Sequence, residues 1–195
     1  MSFHTKKYKT KYNLNDGYFE KIDTEEKAYW LGFLYADGWV RFNKGKYGEL
    51  GLHLQESDRS HLEKFKKDLE SNNPILKSTN KNGGCRIRIS NCKIVNDLIR
   101  HGCIPNKSLI LKYPKLDTCL EKHFIRGYFD GDGCIQKRKN RRNVYNIDIL
   151  GSHSFIEDLE SILIIKYNLI KISKRISGNV SRLSISNNED CLRFF

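Results

Sequence analysis

The chain repeats itself, and that repetition limits its possible folds more than any other feature. Trp30-Leu-Gly-Phe-Leu-Tyr-Ala-Asp-Gly38 returns as Ile125-Arg-Gly-Tyr-Phe-Asp-Gly-Asp-Gly133 at an offset of 95 residues. Cys85-Arg-Ile-Arg-Ile-Ser-Asn91 returns as Ser181-Arg-Leu-Ser-Ile-Ser-Asn187 at an offset of 96. Two separated matches at nearly one spacing mark a tandem duplication. A length of 195 residues accommodates two small units that bury a shared core.

Each copy reads in the same order. Asp23 or Thr24 opens a helix carrying the first nonapeptide, with Glu26 as a capping-box partner, and Thr118 with Glu121 does the same in the second copy. Both helices end at Asp-Gly. Val40 and Phe42 then alternate with Arg41 and Asn43, and Leu50, Leu52 and Leu54 with Gly51, His53 and Gln55, which is the period of half-buried strands. A second helix from about Asp58 carries Leu62, Phe65 and Leu69 on one face, matched by Phe155, Ile156, Leu159 and Leu163. Ile75 to Thr79, an Asn82-Gly83-Gly84 turn and Arg86 to Ser90 predict a second hairpin. A short helix through Ile94, Val95, Leu98 and Ile99 stops before Gly102.

The predicted fold is therefore α+β: two pseudo-symmetric αββαββα units over residues 23–104 and 117–195, joined by a linker at 105–116 and preceded by a basic arm at 1–22. The second unit is expected to be short of its last helix. Phe194 and Phe195 begin an apolar face with too little length to hold a helix alone, and the counterpart of Lys107 would fall beyond Phe195.

Gly32 and Ala36 are four apart, as are Gly127 and Gly131, so each nonapeptide helix presents a small-residue stripe along which two backbones can approach. Side-by-side packing brings Asp37 and Asp132 to the same, C-terminal end of the seam. Helix dipoles there place partial negative charge and free carbonyls, those of Ala36 and Gly131 among them. Two carboxylates at that point repel each other and gain proton affinity unless a cation intervenes. Mg²⁺ or Mn²⁺ suits such oxygen ligands and keeps waters able to attack a phosphodiester. Asp-Gly is also an ordinary turn signal, but its recurrence at matching repeat positions, each after Gly-x-x-x-small, favours the site.

Composition narrows the partner. Lys+Arg total 35 against Asp+Glu 23, a formal net charge of +12, which calls for a polyanion. No apolar run approaches the roughly 20 residues that a membrane-spanning helix requires. Six cysteines, at 85, 92, 103, 119, 134 and 191, form no Cys-x-x-Cys pair, which argues against zinc. They read as reduced, partly buried thiols in a cytosol-like compartment, and the lysine-rich start has no apolar signal region. An EF-hand reading of Asp130-Gly-Asp132 fails, because Ile135 stands where Gly is needed and Arg141 where Glu is needed. A dinucleotide fingerprint fails because the glycines follow a helix and precede a strand.

The two nonapeptides resemble the LAGLIDADG motif of homing endonucleases, and the repeated αββαββα order extends the resemblance over most of the chain. It implies a site-specific DNA endonuclease of intron or intein mobility, with two antiparallel sheets forming a saddle over duplex DNA and the motif helices above the minor groove. It implies further that Asp37 and Asp132, the penultimate acidic residues of the motifs, bind the catalytic divalent metal. Polar or basic side chains are expected around the metals, where Gln55 with Glu56, and Lys107 in Gly102-Cys-Ile-Pro-Asn-Lys-Ser108, stand in this sequence. Lys107 equally suits a solvated linker. Products with 5′-phosphate and 3′-hydroxyl ends and 3′ overhangs follow from the same resemblance. Copy one departs from copy two by carrying Tyr35 in place of Asp130, outside the metal pair.

Strand parity turns Arg41, Asn43, Gln136 and Arg138 away from the apolar stripe, and Arg86, Arg88 and Arg182 extend the basic surface. Arg can be bidentate to guanine and Gln or Asn to adenine in the major groove. The same residues also suit a solvated sheet face or phosphate contacts. Lys137, Arg138, Lys139, Arg141 and Arg142 are expected on phosphates. The expected partner is double-stranded DNA, held by a monomer whose fused halves read a long, non-palindromic site. A maturase acting on structured RNA and a non-catalytic DNA-binding regulator would use the same scaffold. The cytoplasm, or the DNA-containing compartment of a host, is the expected location.

Overall fold

The first nonapeptide ends a helix, α1 (Glu25–Ala36), that starts where the Thr24 side chain accepts the Lys27 N–H. Asp23 does not cap. Its carboxylate takes the Lys27 ammonium at 2.6 Å instead. The second nonapeptide ends α4 (Thr118–Asp132), whose cap position is Asp117, without a side-chain cap bond. The capping box read at Thr118 and Glu121 does not form, because Glu121 is buried and held by the Lys166 ammonium at 2.6 and 2.8 Å. The computed structural model describes residues 11–43, 47–78, 83–137 and 145–194. Thr79 and Asn82 of the predicted second hairpin, and the predicted phosphate contacts Arg138, Lys139, Arg141 and Arg142, lie outside them.

α1 and α4 pack backbone to backbone. A Cβ placed on Gly32 would collide with the Phe124 carbonyl oxygen, and one on Gly127 with the Tyr29 carbonyl oxygen. These two contacts exchange under the repeat offset, so they are one contact seen from either side of a pseudo-twofold axis. A Cβ on Gly131 would meet Ala36 Cβ, which puts the small stripe of each helix on that axis. Every residue from Ala28 to Tyr35 is buried as a result, as are Phe124, Ile125, Tyr128 and Phe129.

Each helix leads into a four-stranded antiparallel sheet. In the first unit β1 (Trp39–Asn43), β2 (Tyr47–Leu54), β3 (Leu76–Lys77) and β4 (Cys85–Ser90) lie in the order β1-β2-β4-β3. In the second, β5 (Gly133–Lys137), β6 (Tyr145–Gly151), β7 (Ile172–Ser177) and β8 (Val180–Ile185) repeat the order as β5-β6-β8-β7. Cross-strand register stacks Val40, Leu50 and Ile89 in one row and sets Leu52 beside Ile87, so one face of the sheet is apolar and buried. Ile147 with Ile185, and Ile149 with Leu183, do the same in the second sheet. The buried faces are closed by α2 (Arg59–Asp68) and α3 (Cys92–Arg100) in unit one, and by α5 (His153–Tyr167) in unit two.

Two features differ from the sequence reading. The third helix of the second unit forms: α6 (Asn188–Phe194) is seven residues long. Length alone would leave it marginal, but Asn187 Oδ1 accepts the Asp190 N–H at 2.7 Å. The buried Asp190 carboxylate in turn accepts Ile170 N–H, Lys171 N–H and Asn187 Nδ2, while Phe194 packs edge-on to Phe129 at 5.2 Å. Residues 13–22, grouped by sequence with a basic arm, pack on unit one. Asn15 N–H donates to the Leu69 carbonyl at 3.0 Å, and Phe19 is fully buried. All six cysteines are free thiols, and no described helix is long and apolar enough to cross a membrane.

The seam predicts a sharp penalty for added volume. Gly32→Ala or Gly127→Ala must separate two backbones rather than move a flexible side chain, and should lower stability by about 3 kcal/mol, read as a lower urea midpoint at unchanged m-value. Gly17→Ala, where a new Cβ meets nothing closer than 3.6 Å, should stay within about 0.5 kcal/mol. Equal midpoints for Gly32→Ala and Gly17→Ala would contradict the close approach.

Candidate active site and sheet face

The pseudo-twofold seam carries Asp37 and Asp132 to one place. Asp37 caps the C-terminus of α1 and Asp132 is the last residue of α4. A Cβ on Gly131 would approach Asp37 Oδ2 to 3.3 Å. Both residues keep exposed surface, while the packed helix ends around them desolvate part of each carboxyl. Burial therefore pushes both carboxyls above the ordinary 3.8; Asp37 raises Asp132 further, Asp58 raises Asp37, and Lys107 opposes the rise in each.

Lys107 reaches this point through a local fold of the segment after α3. The Tyr35 hydroxyl donates to the His101 carbonyl, Cys103 Sγ–H to the Leu34 carbonyl at 3.7 Å, and Lys107 Nζ to the Ala36 carbonyl at 3.1 Å. Consecutive residues at the end of α1 thus hold the segment in place. Asn106 precedes Lys107 with φ of 55°, a left-handed conformation that asparagine tolerates. The Lys107 side chain is 7% exposed, and burial pulls its ammonium below the ordinary range, while Cys103, Asp132 and Asp37 favour the charged form. A solvated-linker role for Lys107 does not fit this burial. The Ala36 carbonyl, a candidate metal oxygen, is engaged by the lysine, and Gly131 sits on the axis beside it.

Gln55 is exposed at the end of β2, where it precedes a 3-10 turn at Glu56–Asp58. Its carbonyl accepts Cys85 Sγ–H and Asp58 N–H. The carboxylate acting on Asp37 from this turn is Asp58, which sequence treated only as a helix start. Sequence also missed a polar bridge over the seam: the Tyr29 hydroxyl donates to Asp130 Oδ2 at 2.7 Å and lies 3.1 Å from His61 Nε2. No short-range pattern marks these contacts, since the partners are 101 and 32 residues apart. Among the described residues no group of three His, Cys, Asp or Glu side chains is placed to hold a metal. The donor set is two carboxylates with raised proton affinity plus helix-end carbonyls, and that set fits a hard, oxygen-loving cation which also keeps water ligands.

The sheet faces away from the core carry the predicted basic residues. Arg41 and Arg88 flank the Trp39 ring, with guanidinium carbons 4.8 and 5.9 Å from its centroid, and Arg41 is ion-paired to Glu49. Arg86 Nε is buried without a hydrogen-bond partner. Asn43 pairs with Tyr47 in the β1–β2 register. In the second sheet Gln136 Nε2 lies 3.6 Å from Cys134 Sγ, and Arg182 is 4.0 Å from the Asp148 carboxylate. Arg175, which periodicity did not single out, lies directly opposite Arg182 across β7 and β8.

A duplicated αββαββα chain that joins its halves through two helix ends, each bearing an acidic residue, has the LAGLIDADG architecture. Residues 120–195 match the model of the LAGLIDADG-like domain family, in line with the resemblance read from the paired nonapeptides. Solved structures agree in fold. The LAGLIDADG meganuclease I-AabMI, bound to uncleaved DNA, is 17% identical with a TM-score of 0.58, covering 86% of this chain and 82% of that one. The I-LtrWI homing endonuclease, bound to target DNA, is 14% identical with a TM-score of 0.58, covering 92% and 83%. Full-length DUF199/WhiA from Thermatoga maritima is 18% identical with a TM-score of 0.57, covering 92% of this chain and 58% of that one. No curated protein sequence matches the chain.

The electrostatics of the site generate a stability prediction. For Asp132 the folded pKa lies above the ordinary 3.8, so its contribution is complete at lower pH and is lost as pH rises through the folded value. Asp132→Asn should therefore match the parent in acid and melt at a higher temperature than the parent at neutral pH in chelator. Added Mg²⁺ should raise the melting temperature of the parent and leave that of Asp132→Asn unchanged. Parallel pH profiles for the two proteins would contradict the raised proton affinity of the carboxylate pair.

Proposed function

We propose that this protein is a metal-dependent, site-specific DNA endonuclease that makes double-strand breaks. The observation that carries the reading is the convergence of Asp37, Asp132 and the buried Lys107 at one end of the seam. Asp37 and Asp132 would hold Mg²⁺ or Mn²⁺, together with carbonyl oxygens of the helix ends at Ala36 and Gly131. A divalent cation in such a site supplies a water of lowered pKa and charge stabilisation for phosphodiester hydrolysis. Lys107 neutralises part of the carboxylate pair and, with a proton affinity lowered by burial, can steer charge that develops on a phosphate oxygen. Asp58, whose carboxylate acts on Asp37, and Gln55, whose carbonyl accepts the Asp58 N–H, would orient water from the first-unit side.

The partner class follows from charge and fold together. A net charge of +12 and two sheets with Arg41, Arg86, Arg88, Arg175 and Arg182 on their outer faces support duplex DNA, and the DNA-bound meganucleases sharing the fold support it further. Fusion of two unlike halves supports a monomer that reads a long asymmetric target. A non-catalytic regulator on this scaffold would have no need of two carboxylates that burial disfavours, so the pair favours catalysis. Intron or intein mobility is the biological setting this reading carries.

The test is cleavage of a randomised duplex library in Mg²⁺. Asp37→Asn and Asp132→Asn should each suppress cleavage by orders of magnitude while DNA binding persists, and near-normal turnover by either would sink the shared-metal model. Binding itself should weaken with salt at a log–log slope of about −0.9 per neutralised phosphate. Lys107→Ala, followed with each strand labelled, should slow the two strands unequally and let a nicked duplex accumulate. Unchanged strand rates would remove Lys107 from the mechanism.

A further inference from the structure

The outer face of the first sheet holds a structured group rather than scattered basic side chains. Trp39, Gly51 and Arg88 lie directly opposite one another across β1, β2 and β4, and the next rung outward is Arg41, Glu49 and Ser90. Gly51 lies under the Trp39 indole: a Cβ there would come within 2.2 Å of its ring carbons. Arg41 stacks on the indole at 4.8 Å. Its Nε and Nη2 both reach Glu49 Oε2, at 2.6 and 2.5 Å. Glu49 is only 8% exposed, so the anchor is built into the sheet and does not swing with solvent.

We propose that Glu49 and Trp39 preset Arg41 to read one guanine in the half-site contacted by the first unit. This rests on the DNA-binding reading above and specifies it. An arginine on an open sheet loses rotamer freedom when it binds, and here much of that freedom is already lost in the folded protein. Glu49 takes the Nε edge, so the fork that the planar guanidinium has left for a base is its end-on pair of Nη1 and Nη2 protons. That fork matches guanine O6 and N7. The adjacent carboxylate also cancels most of the positive charge, which weakens the pull on phosphate while the directional donors remain. Arg41 is therefore suited to a base and poorly suited to the backbone.

Among the described residues the second sheet has no equivalent. Under the repeat registers Trp39 corresponds to Cys134, Arg41 to Gln136 and Gly51 to Asp148, which pairs with Cys134. The guanine requirement is accordingly confined to one half of the target. Glu49 and Trp39 act through Arg41 and are positioning residues.

The experiment selects bound duplexes from a fully randomised library with the whole chain, for the parent and for Arg41→Lys, Glu49→Gln and Trp39→Leu. A thermal melt of each variant identifies any that is unfolded, and Arg41→Lys, an exposed change that keeps the charge, secures the test if the buried Glu49→Gln is lost. The parent should enrich guanine at one position in one half-site. Each variant should lower that preference about tenfold while preferences elsewhere in the site persist. An unchanged guanine preference in folded Arg41→Lys or Glu49→Gln, or weaker binding to all sequences alike, would overturn the inference and assign Arg41 to phosphate. No enriched sequence for the parent would overturn the site-specific reading as well, so the two failures are distinct.

Discussion

Everything in this molecule hangs on two helix backbones being allowed to touch. Where Gly32 meets the Phe124 carbonyl and Gly127 meets the Tyr29 carbonyl, the absence of side chains sets the distance between the two units. Neither unit buries its nonapeptide helix alone, since those helices are apolar over most of their length and need a partner. Close contact at the seam therefore joins the cores, brings the two sheets to opposite sides of one axis and carries Asp37 and Asp132 to the same point. Stability and chemistry share one interface.

That interface is electrostatically uneven. Two carboxylates are pressed toward protonation by burial and, for Asp132, by its neighbour Asp37, at helix ends that are themselves partly negative. The chain answers with a buried ammonium, that of Lys107, drawn in from the segment after α3 and bonded to the Ala36 carbonyl. Lys107 is itself under strain from burial, so the three groups are mutually dependent. Removing one alters the proton affinity of the others.

Much of the fold was legible because duplication printed each signal twice. Alternating residues such as Leu50 and Leu52, or Ile147 and Ile149, mark the buried sheet faces directly, and the paired Gly-x-x-x-small stripes announce the seam. Legibility failed where a side chain had two suitable partners. Glu121 has the spacing of a capping box and instead meets Lys166, 45 residues away. The last helix was expected to fail on length, which was sound for an isolated segment; Asp190 stabilises it by binding backbone at 170 and 171. At the site, residue types and motif positions pointed to Asp37 and Asp132. The approach of Asp58 and the burial of Lys107 depend on how loops fold back, and no periodicity encodes that. On the sheet face, parity placed Arg41 outward, but its pairing with Glu49 follows from the β1–β2 register, which alternation does not fix.

The bond between Tyr29 and Asp130 has a counterpart on the far side of the axis, where the repeat relation sets Phe124 against Tyr35. There the contact is two aromatic rings, edge to face at 5.0 Å. One side of the seam is thus a hydroxyl on a carboxylate, and the other is ring on ring. A pair built from two first units would set tyrosine against tyrosine on both sides, and a pair of second units would set a carboxylate against a phenyl ring twice. At this level of the seam the two sides have diverged in opposite directions, one toward charge and the other toward aromatic packing, so a hydroxyl–carboxylate bond forms only between unlike units.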